Sequence, residues 1–459
     1  MIEFSSPSLT DAPHSSSINT LLADRVRRAG NGVLIERKTH LGDAWQPVTA
    51  QQFADQVLAT AKGLVARGIE VGDRVAIMSR TRYEWTLLDF AVWAVGAVPV
   101  PVYETSSADQ IRWICGDAGV RLALVETSTH ASLVEEARAT LPELTDVLVI
   151  DDDAVDQLRL SGSGIDTAEV TARSEAVVGS DLATIIYTSG TTGRPKGAEL
   201  THRNFVFLTR NGVEGLGNIC AVPGARSLLF MPLAHVFARF VQVLCITSGA
   251  VMGHTPDTRN LLPDLATFQP TFLLAVPRVF EKVYNSSEQK AGSGARLRLF
   301  RWAAKVSIAM SEATSGGAGP SVALKAQHAL ASALVYSKLR SALGGKAQYA
   351  ISGGAPLGER LGHFYRGIGL TILEGYGLTE TTAPTAVNRP GLIKIGTVGP
   401  SFPGTSTRID DDGEILISGE HVFRGYRNNP QATAEALVDG WFRTGDLGSL
   451  DDDGYLRIT

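Results

Sequence analysis

Seven short apolar runs constrain the architecture of this chain. They are "RVAIMS" (Arg74 to Ser79), "LALVET" (Leu122 to Thr127), "DVLVID" (Asp146 to Asp151), "LATIIYT" (Leu182 to Thr188), "SLLFMP" (Ser227 to Pro232), "TFLLAVP" (Thr271 to Pro277) and "YAIS" (Tyr349 to Ser352). Each is continuously apolar, whereas a strand with one wet face alternates, so parallel strands covered by helices on both faces are predicted. Amphipathic stretches separate them, such as "ADQVLATAKGLVARG", where Val57, Ala61 and Leu64 recur at helical spacing before Gly68. Alternation of this kind predicts an α/β protein with two doubly wound units meeting near residue 180.

At 459 residues the chain exceeds one ordinary core. The expected division is a flexible polar leader over 1–22, a first α/β subdomain over 23–180 and a second over 181–396. The last part, 397–459, holds Asp-Asp-Gly turns between β-type runs in "TSTRIDDDGEILISG" and "GSLDDDGYLRIT", which predict hairpins in a small β-barrel or sheet. The most apolar long segment, Tyr83 to Val102, carries Glu84, Asp89, Gly96, Pro99 and Pro101, so it reads as a buried helix running into a strand rather than a membrane span. Inside the second subdomain lies a helical insertion near 286–346. There Arg296, Arg298, Arg301 and Lys305 accompany Leu297, Phe300, Ala304 and Ile308 at spacings of three and four. Such a helix can lie on anionic lipid, or it can pack on its own domain with a solvated basic edge.

A formal charge of −5 gives no electrostatic reason to expect nucleic acid, and points to small-molecule partners. Cys115, Cys220 and Cys245 follow no metal spacing and read as reduced core residues of a cytoplasmic protein. The N-terminus has no basic region followed by an apolar one, so it is not a secretory signal.

Chemistry concentrates in four strings. "YTSGTTGRPKG" (Tyr187 to Gly197) is a glycine-rich loop after a buried strand; its backbone N–H groups, its hydroxyls and Lys196 suit a polyphosphate. It is not a Walker A loop, because Lys196 lies between Pro195 and Gly197. Downstream come "ISGGAPL" (Ile351 to Leu357), "LEGYGLTETT" (Leu373 to Thr382) and "GWFRTGD" (Gly440 to Asp446). Tyr376 between glycines can stack on a purine, Thr379 can donate to a phosphate, Glu380 can hold Mg²⁺, and Asp446 can accept from ribose hydroxyls.

In this order the four strings resemble the core motifs of the adenylate-forming acyl-CoA synthetase superfamily. "MPLAHVFAR" (Met231 to Arg239), "VPRVFEKVY" (Val276 to Tyr284) and the helical insertion are similar to its bacterial long-chain fatty-acid CoA ligase branch. The resemblance implies an AMP-forming acid–thiol ligase that uses ATP, Mg²⁺ and CoA. It implies that Thr188, Ser189, Gly190, Thr191, Thr192, Gly193 and Lys196 grip phosphates, and that Thr188 and Glu380 hold the metal. Gly354, Ala355 and the segment Glu374, Gly375 and Tyr376 would line the adenine pocket, with Gly353 and Gly377 also binding the nucleotide; Thr379 would meet the α-phosphate and Asp446 the ribose. His235 would sit beside the acyl carboxylate, so the catalytic set is His235, Thr379, Glu380 and Lys196. Val236, Phe237, Phe240, Val276 and Phe280 would line an apolar tunnel, in which each buried methylene contributes about 0.8 kcal/mol.

Other readings stay open: a fatty acyl-AMP ligase, an aryl-CoA ligase, a nucleotide or acyl-adenylate binding module, or a lipid-handling protein peripheral to the inner face of the membrane. In the family, the phrase matching "DGYLRIT" leads into a hinge and a mobile C-terminal domain of roughly a hundred residues that supplies a catalytic lysine. With that domain absent, the expectation is weak binding of ATP or acyl adenylate and poor thioester formation.

Overall fold

The computed structural model describes residues 2–40, 42–188, 193–316 and 319–459. Strands Val98–Val102, Arg74–Met78, Val120–Val125 and Asp146–Val149 lie in that order in one wholly parallel sheet. Pro99 and Pro101 fall on the end strand of this ladder, where a missing N–H breaks no pairing on the open side. The preceding helix, α1 (Tyr83–Ala94), buries every residue except Glu84, which explains its apolar composition without a membrane. No helix among the described residues is long and apolar enough to cross a bilayer.

The expected boundary near residue 180 does not divide the sheets. Strands Val33–Arg37 and Gln46–Thr49, placed in the first unit by sequence order, instead extend a sheet begun by Arg226–Leu229 and Val251–His254. A third sheet holds Phe272–Leu274, Tyr349–Ser352 and Thr371–Tyr376 in parallel, closed by antiparallel Ala386–Val387. The run at Leu182–Thr188 departs from the parallel expectation. As β1 it pairs antiparallel with β2 (Lys196–Thr201), so the two strands form a hairpin.

Three further helices matter below. Helix α2 (Val236–Ser248) is capped by His235, whose Nδ1 accepts from the Phe237 N–H at 3.2 Å. Helices α3 (Ala295–Ser315) and α4 (Val322–Ala331) form most of the insertion; α3 packs along α5 (Glu359–Gly367), and α4 packs on α3.

The C-terminal part is a six-stranded antiparallel sheet, and both Asp-Asp-Gly sequences make its turns, with Gly413 at φ 87° and Gly454 at φ 80°. Its outer strand corrects the flexible-leader expectation: Glu3–Ser5 pairs with Ser406–Arg408. A Cβ at Gly454 would stand 2.2 Å from the Phe4 ring, so the turn and the leader are fitted to each other. Ser17, fully buried, caps the helix Ile18–Ala29 with a reciprocal capping box. Nothing in the leader's polar composition signals pairing with a strand four hundred residues away.

Three fully buried histidines carry a consequence for acid stability. Desolvation pushes His202 and His421 down to about 3 and His254 to about 4, from an ordinary 6.5. Nδ1 of His254 and of His421 has no hydrogen-bond partner among the described residues, so a proton added there would be stranded. The unfolded chain takes up these protons near pH 6.5 and the folded one only near 3–4. Stability is therefore intact above about pH 6.5 and lost as pH falls toward 4. The melting temperature is expected to be flat above pH 7 and to decline from about pH 6.5 downward, with a shallower decline in His421→Gln. A melting temperature unchanged to pH 4.5 would contradict this account.

Candidate active site

The β1–β2 hairpin positions the first group of candidates. Its register sets Thr188 opposite Lys196, at the mouth of the turn. Ser189, Gly190, Thr191 and Thr192 lie outside the described residues; Gly193 (φ 145°) and Arg194 are exposed. The base of the turn is anchored: the Trp113 indole N–H donates to Pro195 O at 2.8 Å, the Arg194 guanidinium lies 4.8 Å from the Trp113 ring centroid, and the Tyr187 hydroxyl donates to Asp117 at 2.6 Å.

Thr379 and Glu380 lie in a single 3₁₀ turn after the strand ending at Tyr376. The chain folds back so closely here that a Cβ at Gly377 would meet Ala383 O at 1.5 Å, which makes glycine obligatory. Thr382 (φ 56°) and Ala383 (φ 102°) hold left-handed backbone immediately afterwards, a strained geometry that clusters at functional sites. The Glu380 backbone carbonyl accepts from Phe423 N–H at 2.7 Å, and its side-chain Oε1 accepts from the Tyr426 hydroxyl at 2.8 Å. The Lys196 ammonium lies 5.0 Å from the Tyr426 ring centroid. Lys196 and Glu380, 184 positions apart, thus meet on one tyrosine.

Sequence reasoning gave Tyr426 no role. It follows Gly425 in the short strand that pairs with β2, and this pairing is what carries it to the site. Burial and the neighbouring Glu380 carboxylate raise its hydroxyl pKa, so it remains a donor. A cavity of about 490 Å³, lined by Glu199 and by residues from Arg424 to Leu437, opens beside it.

A second cluster joins Tyr376 and Asp446. The Tyr376 hydroxyl donates to Asp446 Oδ2 at 2.6 Å, and Asp446 is placed by its own N–H donating to Thr444 Oγ1 at 3.0 Å. Burial, then Asp446 and Glu380, raise the Tyr376 pKa, so both clusters share one electrostatic neighbourhood. Gly354 and Ala355 are exposed beside them, and Gly353 lies under the Phe237 ring, 3.6 Å from where a Cβ would stand. Glu374 accepts from Leu357 N–H at 3.0 Å, a bond that ties the Gly353–Leu357 turn to the neighbouring strand, while burial raises its pKa. Gly375 is closed in by Val387, 2.8 Å from a hypothetical Cβ.

His235 is half-buried and its pKa is lowered by desolvation, so it is neutral near pH 7. Of the acyl-tunnel candidates, Phe237 and Val276 are partly exposed, and Val236 is buried. Phe240 and Phe280 are buried as well. The Phe280 ring packs edge-on against Tyr365 at 5.3 Å, and the Phe240 ring lies 3.7 Å from where a Gly212 Cβ would stand. The three cysteines are buried thiols, with Cys115 pushed up to about 12 by desolvation.

A hairpin carrying a lysine, a strained turn presenting a carboxylate, and a tyrosine–aspartate pair beside a glycine turn are thus brought together. The chain belongs to the AMP-binding enzyme family, whose model matches residues 26–427. It is 48% identical over 462 residues to the long-chain-fatty-acid–CoA ligase FadD15 of Mycobacterium tuberculosis, an alignment that covers 100% of this chain and 76% of FadD15. Human long-chain-fatty-acid–CoA ligase 1 is 31% identical over 438 residues, covering 89% of this chain and 62% of that one. Among solved structures, the N-terminal domain of FACL13 from Mycobacterium tuberculosis superposes with a TM-score of 0.75 at 24% identity, covering 97% of this chain and 100% of that one, which supports the fold.

Proposed function

We propose that this protein is an AMP-forming long-chain fatty-acid–CoA ligase. The observation that carries the reading is the meeting of Lys196 and Glu380 on Tyr426, beside the Tyr376–Asp446 pair. In the first half-reaction a fatty carboxylate oxygen attacks the α-phosphorus of ATP; the bond to the β-phosphate oxygen breaks and pyrophosphate leaves. In the second, the CoA thiol sulfur attacks the acyl carbon, AMP departs, and the thiol proton is released to solvent.

The first half-reaction joins two anions, so it calls for charge neutralisation and alignment more than for a base. Lys196 supplies a fixed positive charge at the hairpin mouth. Thr379 would donate to the α-phosphate. Asp446, with one carboxylate oxygen held by Tyr376, directs the other toward ribose hydroxyls. Neutral His235, whose Nδ1 is occupied by the Phe237 N–H, offers Nε2 as a donor to the acyl carboxylate. The site fits Mg²⁺: Glu380 is 9% exposed, and among the described residues only one of its oxygens is engaged. Held by Glu380 and Thr188, the ion would neutralise phosphate charge.

The 48% identity to FadD15 supports long-chain acids as substrates. Pyrophosphate exchange into ATP, measured with acetate, octanoate, palmitate and an aromatic acid, is expected to be stimulated most by palmitate. Stimulation by the aromatic acid alone would overturn the fatty-acid assignment.

A further inference from the structure

The insertion departs from the rest of the chain in charge. Residues 286–346 hold nine Lys/Arg against two Asp/Glu, a formal +7 in a chain of −5, which leaves −12 for everything else. Its first helix does not use its apolar side for binding. In α3, Phe300, Ala303, Ala304, Val306 and Ser307 are turned inward. Ser307 donates to Phe364 O at 2.6 Å, and Ser311 bonds His363 at 3.0 Å, both on α5. A Cβ at Gly367 would stand 2.1 Å from Ser307 O, so α5 approaches backbone to backbone. Arg296, Arg298, Arg301 and Lys305 remain on the outer side, and of these Arg301 pairs with Glu288.

Helix α4 is the unusual element. It is held from behind: His328 Nε2 meets Gly367 O at 2.6 Å, and the Tyr336 hydroxyl donates to Ala303 O at 2.6 Å from the π-turn Ser332–Tyr336 that continues the helix. Among the described residues, nothing covers its outer side. Of nine exposed positions between 322 and 334, seven are Val322, Ala323, Ala326, Ala329, Leu330, Ala333 and Leu334; the other two are Lys325 and Gln327. Val322 is 83% exposed, Leu330 54% and Leu334 44%. An apolar face of this extent marks a docking surface, and its basic rim selects among partners.

The geometry points to this face as a membrane foot: α4 lays Val322, Leu330 and Leu334 into an anionic bilayer surface while the basic residues of α3, Lys325 and Lys338 meet the headgroups. The occupant is argued from charge. A second copy would bring the same apolar face but also set one +7 module against another, so like charges oppose that pairing, whereas an anionic bilayer supplies negative charge and an apolar interior together. Docking here would bring the enzyme to the phase in which long-chain acids dissolve; that benefit rests on the proposed function, but the binding itself does not.

The test is co-sedimentation of the full chain with vesicles of phosphatidylcholine alone or with 30–40% phosphatidylglycerol, amounts on the order needed for a strong surface potential. Binding to the anionic vesicles only, falling with added salt, is expected. Arg298→Glu with Lys305→Glu, and separately Leu330→Asp with Leu334→Asp, should each weaken it at least about tenfold. All four positions are exposed, so folding is retained, which the melting temperature checks. Equal binding to neutral vesicles, no binding at all, or insensitivity to the leucine pair would overturn the proposal. So would a concentration-dependent dimer abolished by Leu330→Asp, which would assign the face to a second copy. Exchange activity in detergent-dispersed substrate, unchanged in these variants, separates failure here from failure of the ligase assignment.

Discussion

Glu380→Gln is expected to lower acyl-dependent pyrophosphate exchange by about 10²–10³-fold while leaving the fold intact. The amide is close to the carboxylate in shape, and its carbonyl oxygen can still accept from Tyr426, so the turn between Leu378 and Ala383 keeps its contacts. What is lost is a charge at a site 9% exposed, where an ionic partner is weakly screened. Tyr426→Phe separates alignment from charge, because the ring under Lys196 is retained and only the hydroxyl is removed. A hydrogen bond to a charged group contributes about 1.5–3 kcal/mol, so this variant should lose about tenfold or more in exchange. Its effect should fall chiefly on the Mg²⁺ concentration required and little on the KM for the acid. Direct Mn²⁺ titration of the ATP complex supplies a readout independent of turnover, and should weaken in parallel. Wild-type exchange in Glu380→Gln would remove this residue from the mechanism.

The parts of the fold legible in the sequence are those governed by local pattern. Continuous apolar runs marked strands at 74–78, 146–149 and 349–352, because parallel strands buried on both faces need no alternation. Asp-Asp-Gly marked both C-terminal hairpins because left-handed backbone at Gly413 and Gly454 restricts the choice of residue. Pairing between distant segments left no such trace. Leu182–Thr188 reads like the other apolar runs, yet it turns back on Lys196–Thr201, and Glu3–Ser5 joins a sheet otherwise built after residue 400. In the site, short glycine-bearing strings named Lys196, Tyr376, Glu380 and Asp446. Tyr426 escaped because its importance comes from the pairing of Gly425–Tyr426 with Ala198–Glu199, a contact across more than two hundred residues. The burial of Phe240 and Phe280 was not legible, because an aromatic exposed near a substrate motif and one packed beneath it look identical in one dimension.

Arg239→Met is expected to cost about 3–5 kcal/mol of stability, the largest loss for a single side chain argued from this structure. Arg239 is fully buried and Asp89 is 1% exposed at the side chain, and they form a two-pronged pair: Nη2 donates to Oδ1 at 2.7 Å and Nε to Oδ2 at 3.2 Å. Further hydrogen bonds hold the pair: Nη1 donates to Thr184 Oγ1 at 2.5 Å, Gln242 donates to Asp89 Oδ2 at 3.1 Å, and Thr184 donates to Pro99 O at 2.8 Å. Desolvation opposes ionisation of both partners, raising Asp89 and lowering Arg239, and their mutual attraction counters it. Methionine fills much of the volume but leaves the carboxylate without a cation, so the cost comes chiefly from stranding Asp89 rather than from a cavity. Asp89→Asn added to Arg239→Met should therefore recover much of the loss, a coupling read from a double-mutant cycle by urea denaturation. The location makes the effect functional as well. Arg239 is on α2, one turn after its His235 cap, and Thr184 is on β1, four residues before Thr188, so one guanidinium ties the helix capped by His235 to the β1–β2 hairpin. The double variant should then be nearly as stable as the native chain yet slower in exchange, because the two halves of the site keep their fold but lose the bond that fixes their spacing. Loss of less than about 1 kcal/mol in Arg239→Met, or additivity in the cycle, would show that the pair holds nothing together.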